Sequence, residues 1–471
     1  MKNTHLENQT KNEIMRYFAI LFLILGFTAG CEILDVEPTD KIAGETAITD
    51  LNGLEAAVNG AYDQMQQVGF AEDAIIFGDL AADNWIHVGS KKEYRQVDDN
   101  QLMATNDYVT GIWNSCYDGI NRVNNILKQI PGLQGDVPQD LLDHHEGSCR
   151  FLRALNYFTL VKYFGGVPLR EQPTESASEN ELFRERATVE DTYRFILSDL
   201  EQAEVLLEDA EINPSWAHPY AVKALMARVY LYFSQYEDHW QDAADKALEV
   251  IESGVFELVA SADYASLYDE ETSNQEIIFQ NDFYNDDDQN AIADWTRHDG
   301  RLEVAAWDTE AKENSIYHAF HEEDARRGAT VYESGGSYYS NKYEDTGNGK
   351  DNVILLRLAE MYLIRAEALN EVGYVPNGDA FKSLNEIRER AGVSKYYAGD
   401  LLNKQQFRLA VEQERRLELA FEGHRFFDLV RTNRAGEVLG DKGNLADNGW
   451  LFPIPQSEMD TNEEMEQNGD Y

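Results

Sequence analysis

The chain has 471 residues, 86 of them Asp or Glu against 40 Lys or Arg, for a net charge of −46 and a pI near 4.4. That length supports a core larger than one ordinary domain needs. The charge repels phosphate backbones, which excludes nucleic acid as a partner, and it disfavours polyanionic ligands, although the acidity equally fits a protein solvated in salty water. At the N-terminus, Lys11 and Arg16 precede an apolar run over residues 17–27, followed by Thr28, Ala29, Gly30 and then Cys31. A charged segment, a short apolar segment and a small-residue site in that order form a secretory signal, and the apolar run is too short to span a hydrocarbon core of about 30 Å. A cysteine directly after the small residues resembles a lipobox. Residues 1–30 are therefore expected to be a lipoprotein signal peptide and Cys31 the lipid-anchored residue, whether translation starts at Met1 or Met15. No other apolar run approaches membrane-spanning length.

Beyond Cys31, helical periodicity dominates. It predicts helices over residues 51–67, 108–129, 139–164, 189–207, 219–236, 240–253, 352–372, 378–390 and 404–431. Leu355, Ala359, Tyr362, Ala366 and Leu369 recur at spacings that put them on one helix face, and Gly373 ends that helix. Residues 223–254 and 357–392 each run small, large and aromatic in one helix, turn, and set alanines in a second. This is the tetratricopeptide pattern, with a period of about 34 residues. The segments 51–67 with 108–129, and 139–164 with 189–207, read as degenerate copies. Between these blocks, residues 256–351 are rich in Tyr, Trp, Asp, Asn and Gly. Residues 276–279 read as a short strand and the rest as loops, where binding residues tend to sit on a rigid scaffold. Cys116 and Cys149 both fall in predicted helices, where a disulfide and two buried thiols are both open. No zinc spacing exists.

Several stretches occur in a set order: CEILDVEPTD after the signal, IWNSCYDGINRVNNIL, RFLRALNYFTLVKYFGGVPL, QEIIF followed by DARR and NKY, VILLRLAEMYLIRAEALNEVG, LNEIRERAG, ERRLELAFEGHRFFDLVR and FPIPQSEMDTN. Together they resemble the SusD/RagB family of Bacteroidetes outer-membrane lipoproteins over most of the chain. Two features depart from the family: QNGDY replaces its usual asparagine-proline-glycine-tyrosine ending, and the lipobox has Phe27 and Thr28 where leucine is commonest. The resemblance implies a mostly α, SusD-like fold in a single domain, 31–471. Four tetratricopeptide-type helix pairs would form the scaffold (about 45–255 and 352–431), with a variable loop-rich ligand-binding half (about 256–351 plus loop 70–107). It also implies an outer-membrane, outward-facing location, with Glu32, Asp35 and Glu37 resembling a surface-export signal. The implied partner is a SusC-like TonB-dependent transporter, to which the lipoprotein delivers a captured oligo- or polysaccharide. The acidity favours a neutral glycan, such as a glucan, over a sulfated one. The RagB branch offers oligopeptide cargo as the alternative, and no cofactor is implied.

Neutral glycans are held by flat rings packed on sugar C–H faces, with Asn, Asp, Gln and Arg bonding the hydroxyls, and exposed aromatics need a reason. The candidates lie in polar, loop-like stretches. These are Asn84 and Trp85 in DLAADNWIHVG, then Phe283, Tyr284, Asn290, Asp294, Trp295 and Arg297 in NDFYNDDDQNAIADWTRHDG, and Trp307 in EVAAWDTE. Trp113, Trp216, Trp240 and Trp450 read as packing residues. The charge-dense ERRLELAFEGHRFFDLVR segment reads as scaffold, with Glu412–Arg416 and Glu422–Arg425 spaced as helix-surface pairs. Catalysis finds no motif: His144, His145 and Glu146 do not make HExxH, and no GxSxG elbow is present. Carboxylates are too numerous for a glycosidase pair to be argued from counts. The acidic loops 286–288 and 345–351 could hold calcium but lack EF-hand spacing, so no metal is expected.

Overall fold

The computed structural model describes residues 48–174, 183–268, 274–283, 289–305, 315–440, 445–469 and 471. The signal segment, Cys31, Glu32, Asp35, Glu37, Tyr284, residues 286–288 and Trp307 lie outside them. Thr49–Tyr471 forms one unit. Its first half is helical: α1 (Leu51–Asp63), α2 (Ala74–Leu80), α3 (Lys92–Asp98), α4 (Asp107–Gln129), α5 (Gln139–Phe164), α6 (Val189–Leu206), α7 (Pro219–Phe233) and α8 (Trp240–Ile251). Side chains that accept the first free amides set the helix starts. Asp50 accepts from Gly53, Asn106 from Tyr108 and Val109, Thr188 from Asp191, and His218 from Ala221, with Pro219 following at the first helical position. α1 packs on α4, α5 on α6 and α7 on α8, as the repeat pattern predicts, and successive pairs join through α4–α5 and α6–α7. α5 is buried on all sides from Phe151 to Val161, as expected of a central helix without a polar face.

Strand β1 (Trp85–His87) lies between α2 and α3, and the second half adds β2 (Ile277–Asn281), α9 (Ile292–Thr296), β3 (Leu302–Val304), α10 (Ile316–Ala319), α11 (Arg326–Thr330), β4 (Val331–Ser334), β5 (Ser337–Ser340), β6 (Val353–Arg357), α12 (Leu358–Val372), α13 (Asp379–Arg390), α14 (Lys404–Glu418) and α15 (Arg425–Arg431). The strands pair antiparallel as β1–β3, β2–β6 and β4–β5. α12 packs on α8, α13 and α14, completing the fourth helix pair. The core there holds Ala359, Leu363, Ala366, Phe381, Leu384 and Phe407, with Tyr362 and Leu369 packed against it.

Two predicted helices are interrupted. The stretch expected to open a helix at Asn352 is instead strand β6, because its apolar run is buried along its whole length and pairs with β2. Leu355 therefore belongs to the sheet and not to the face of α12. The helix expected over 404–431 stops at Glu418. Phe421 and Gly423 adopt positive φ (66° and 76°), and buried Asp79 accepts both of their amides at 3.3 and 2.7 Å. A Cβ on Gly78 would lie 2.3 Å from the Gly423 carbonyl oxygen, so this turn presses on α2 where only glycine fits.

The charged segment is scaffold, but its charges are not surface pairs. Arg425 and Arg416 bind Asp83 at 2.6 and 3.1 Å, and Glu412 takes Arg434 at 2.9 Å. Glu422 takes Arg357 at 2.8 Å and Lys342 at 2.5 Å. Arg357 also reaches Glu276 and Glu418 at 2.9 and 2.6 Å, and Arg390 and Arg326 converge on Glu418 too. Burial opposes ionisation of Glu418 and Glu422, yet these cations hold both below the usual carboxylate range. Cys116 and Cys149 are free, buried thiols.

Candidate functional site

The two stretches that carry the candidate residues meet in the fold. In the β1–β3 ladder Trp85 lies opposite Val304 and His87 opposite Leu302, and the Arg301 carbonyl accepts the Val88 amide at 2.9 Å. This ladder sets the loop after β1 beside α9. Trp295, on α9, stacks on Tyr94 of α3 with 4.2 Å between ring centroids and 8° between planes. The Arg301 guanidinium lies 4.7 Å and the Lys91 amine 5.1 Å from the Trp295 ring. Because Tyr94 fills one face, Arg301 covers the other, which leaves the indole 7% exposed. Arg301 is exposed and Lys91 half-buried, so the cations at the ring sit on long side chains at least partly in solvent.

Next to Trp295, Arg297 Nη1 donates to Asn341 Oδ1 at 2.9 Å, lies 3.6 Å from the Glu344 carboxylate, and sits with its guanidinium 4.9 Å from the Tyr332 ring. Tyr332 and Tyr339 are cross-strand partners in the β4–β5 hairpin, 5.7 Å apart. The Tyr332 hydroxyl accepts the His298 amide at 2.8 Å, and the Tyr339 hydroxyl donates to Glu303 at 3.4 Å. Half-buried Tyr332, Arg297, Asn341 and Glu303 and exposed His298 thus form a group that adjoins Trp295 and Arg301 in the chain through Arg297, His298 and Glu303. Rings, guanidinium donors and carboxylate or amide acceptors are what a polyhydroxylated, partly apolar ligand needs. Among the described residues no group of three or more His, Cys, Asp or Glu could hold a metal ion.

Beneath this surface are two buried acids at the end of a π-helical turn, Gly69–Asp73, a conformation often found at functional sites. Asp73 accepts the Tyr94 hydroxyl at 2.7 Å and Glu72 accepts the Ala291 amide at 2.8 Å. Burial pushes the Asp73 carboxyl up to about 8, with the Tyr94 bond opposing and Glu72 adding to the rise. Glu72 is also raised, chiefly by burial. Asp73, under the platform, therefore favours the neutral form near neutral pH, and Glu72 shifts in the same direction.

The other candidates fall elsewhere. Trp85 is fully buried and stacks on Phe421 at 4.7 Å, so it offers no ring face to solvent. Asn84, also fully buried, donates to Asp79 at 2.6 Å and accepts from Arg416 at 3.2 Å. Both pack against the α14–α15 turn, which folds over the end of α2. Phe283 is fully buried. Asn290 ties two loops, accepting the Ile292 amide at 3.1 Å and donating to the Asp351 carbonyl at 2.7 Å. Asp294 is exposed but accepts the Gly347 amide at 3.0 Å, holding loop 345–351 to α9. In that loop Asp345 accepts from Asn348 and from the Lys350 amide, and Asp351 accepts the Asp345 amide, so these carboxylates shape the loop. Of the tryptophans read as packing residues, Trp113 is 2% exposed and Trp216 is 37% exposed, edge-on to Tyr62 at 4.5 Å. Sequence reasoning missed Tyr94, Arg301, Tyr332 and Tyr339. The SYYS run after two glycines was an available signal for the hairpin pair, whereas nothing local marks Tyr94 or Arg301.

Residues 232–471 match the family described as the SusD family, and residues 32–231 match one described as starch-binding, associating with the outer membrane. SusD-like protein P38 of Formosa agariphila is 27% identical over 96% of this chain and 99% of its own length. The starch-binding protein SusD of Bacteroides thetaiotaomicron is 34% identical over a stretch covering 30% of this chain and 24% of its own. Among solved structures, a laminarin-binding SusD-like protein superposes with a TM-score of 0.73 at 25% identity, covering 90% of this chain and all of that one.

Proposed function

The chain belongs to the SusD family, and from that membership we propose that it is a glycan-binding outer-membrane lipoprotein that captures a neutral oligo- or polysaccharide and delivers it to a SusC-like TonB-dependent transporter. In this reading residues 1–30 are removed, Cys31 carries the lipid, and the body 31–471 faces the exterior. The names of the matched families and relatives support a glycan ligand at an outer membrane. The observation that carries the assignment to this surface is Trp295, stacked on Tyr94 with the exposed Arg301 against its ring. A sugar displaces Arg301 and packs its C–H face on the free face of the indole. Arg301, Arg297 and Asn341 then bond hydroxyls at its edge, and Tyr332 extends the apolar floor.

Affinity electrophoresis of the mature chain through gels containing laminarin, and then a panel of other neutral polysaccharides, tests this. Retardation in at least one gel is expected, and Trp295→Ala should weaken binding about tenfold, the equivalent of ~1.4 kcal/mol. Unchanged mobility with every polysaccharide would overturn the glycan assignment. Retardation unaffected by Trp295→Ala would move the site elsewhere on the molecule.

A further inference from the structure

We propose that a cavity between α5, α7 and the α14–α15 turn is a binding site for a small monovalent anion of chloride or bromide size, held by Lys162 together with His424 and Arg228. The cavity measures about 40 Å³. A water needs roughly 10–15 Å³ of such space, so one to three water-sized bodies fit. Its walls are nearly half polar: Phe158, Ile354 and Leu355 supply apolar surface, and the charged or ionisable side chains that enter it are Lys162, Arg228, Glu422 and His424.

The hydrogen-bond accounts of these groups differ. Arg228 spends Nε on Glu360 at 2.8 Å, and Nη2 on Glu360 and the Leu355 carbonyl. The Glu422 oxygens accept from Arg357, Lys342 and Tyr268. The Thr159 hydroxyl, also in the wall, donates to the Leu155 carbonyl at 3.2 Å. Lys162 is different. Its amine lies 5.0 Å from the Phe158 ring and 4.7 Å from the Phe427 ring, and it makes no hydrogen bond or ion pair among the described residues. The His424 imidazole is 3.9 Å from Glu360, beyond hydrogen-bond reach.

The unspent groups at the cavity are therefore mainly donors: the three N–H of the lysine, Arg228 Nη1 and one imidazole N–H. Lys162 is half-buried, and an ammonium partly withdrawn from water gains from an oxygen or anion beside it. A set rich in donors suits an anion, which only accepts, better than water, which must also donate. The surrounding charges do not fill this role, because each carboxylate already has a cation. Glu360 of α12 serves Arg228, Glu422 of the turn serves Arg357 and Lys342, and Asp428 of α15 serves Arg415 and Arg431. Burial, with Arg228 adding and Glu360 opposing, pushes the Lys162 amine down to about 7, and an adjacent anion would keep it protonated.

Thermal unfolding of the mature chain, with sodium gluconate exchanged stepwise for sodium bromide or chloride at constant ionic strength, tests the site. The wild type should show a saturable, halide-specific rise in Tm of roughly 1–3 °C, and Lys162→Met should lose it while responding to gluconate as the wild type does. Wild-type crystals soaked in bromide should show an anomalous peak against Lys162 Nζ. The proposal fails if halide gives no more than gluconate, if Lys162→Met keeps the halide increment, or if the density carries no anomalous signal and refines as water. Should Lys162→Met not fold, the wild-type bromide map decides alone.

Discussion

Replacing Asp73 with Asn isolates the cost of a carboxyl under the Trp295–Tyr94 stack. Asp73 is 2% exposed and accepts the Tyr94 hydroxyl at 2.7 Å. Burial moves it from 3.8 to about 8. Between those two values the unfolded chain has released a proton that the folded chain keeps. Stability therefore falls as pH rises through that interval, is unaffected by this group below it, and levels off above it. At ~1.4 kcal/mol per unit, the shift corresponds to about 6 kcal/mol at most, and relaxation of the site brings the expected figure to roughly 3–5 kcal/mol. Asn has the same size, keeps a carbonyl oxygen for Tyr94 and does not titrate. Urea unfolding of both proteins at about pH 4.5, 7 and 9 should show Asp73→Asn gaining on the wild type by most of that amount across the series. Two parallel stability profiles would mean that Asp73 ionises in the folded state without penalty, and would refute the reasoning.

Arg357→Met removes the cation that Glu276, Glu418 and Glu422 share. It should cost roughly 3–5 kcal/mol in urea unfolding because three buried carboxylates lose a partner; a loss below about 1 kcal/mol would show that the remaining cations suffice. Burial raises both the Cys116 and Cys149 thiols, so neither should react with iodoacetamide in the folded protein. Both should react after unfolding without reductant; labelling of neither would reveal a disulfide. Under the proposed function, Cys31→Ala should release the protein from the membrane fraction of cells while the purified body keeps its glycan affinity, and continued membrane retention would count against the lipid anchor.

The helix pairs were legible because their apolar spacing follows the turn of a helix, and the pairing of α7–α8 and α12–α13 could be read from small and aromatic residues in sequence. The departures have a common cause in contacts from far along the chain. The run of residues 353–356 is apolar on both faces and carries no period that separates strand from helix; β2 decides it. The break between α14 and α15 depends on Asp79 reaching the amides of Phe421 and Gly423. The same holds for the candidate site. Asn84–Trp85 and Asp294–Trp295 look alike as acidic or amide residues beside an indole in a polar loop. The first pair is sealed by the α14–α15 turn, which no local pattern around Trp85 announces. The second lies under Arg301.

The distribution of arginines separates scaffold from site. Arg326, Arg357, Arg390, Arg415, Arg425 and Arg431 are buried against carboxylates, so their charge is spent inside and cannot meet a ligand. Arg301 lies over an indole, and Arg297 over a tyrosine ring, at the outer side of the fold. An exposed cation–π contact is worth about 0.5–1 kcal/mol. A pyranose face that covers roughly 60 Å² of ring contributes about 1.5 kcal/mol at ~25 cal/mol per Å². Exchange of the arginine for the sugar is then favourable by a small margin, and the displaced guanidinium stays beside the ring with all its N–H groups free for hydroxyl oxygens. The cover thus keeps the indole from being an open hydrophobic patch on an unliganded protein, and it yields to a ligand that offers both an apolar face and acceptors. A ligand without an apolar face gains less than it displaces, and one without hydroxyls forgoes the hydrogen bonds of the freed guanidinium, so under the proposed function both features of a sugar are used at this surface.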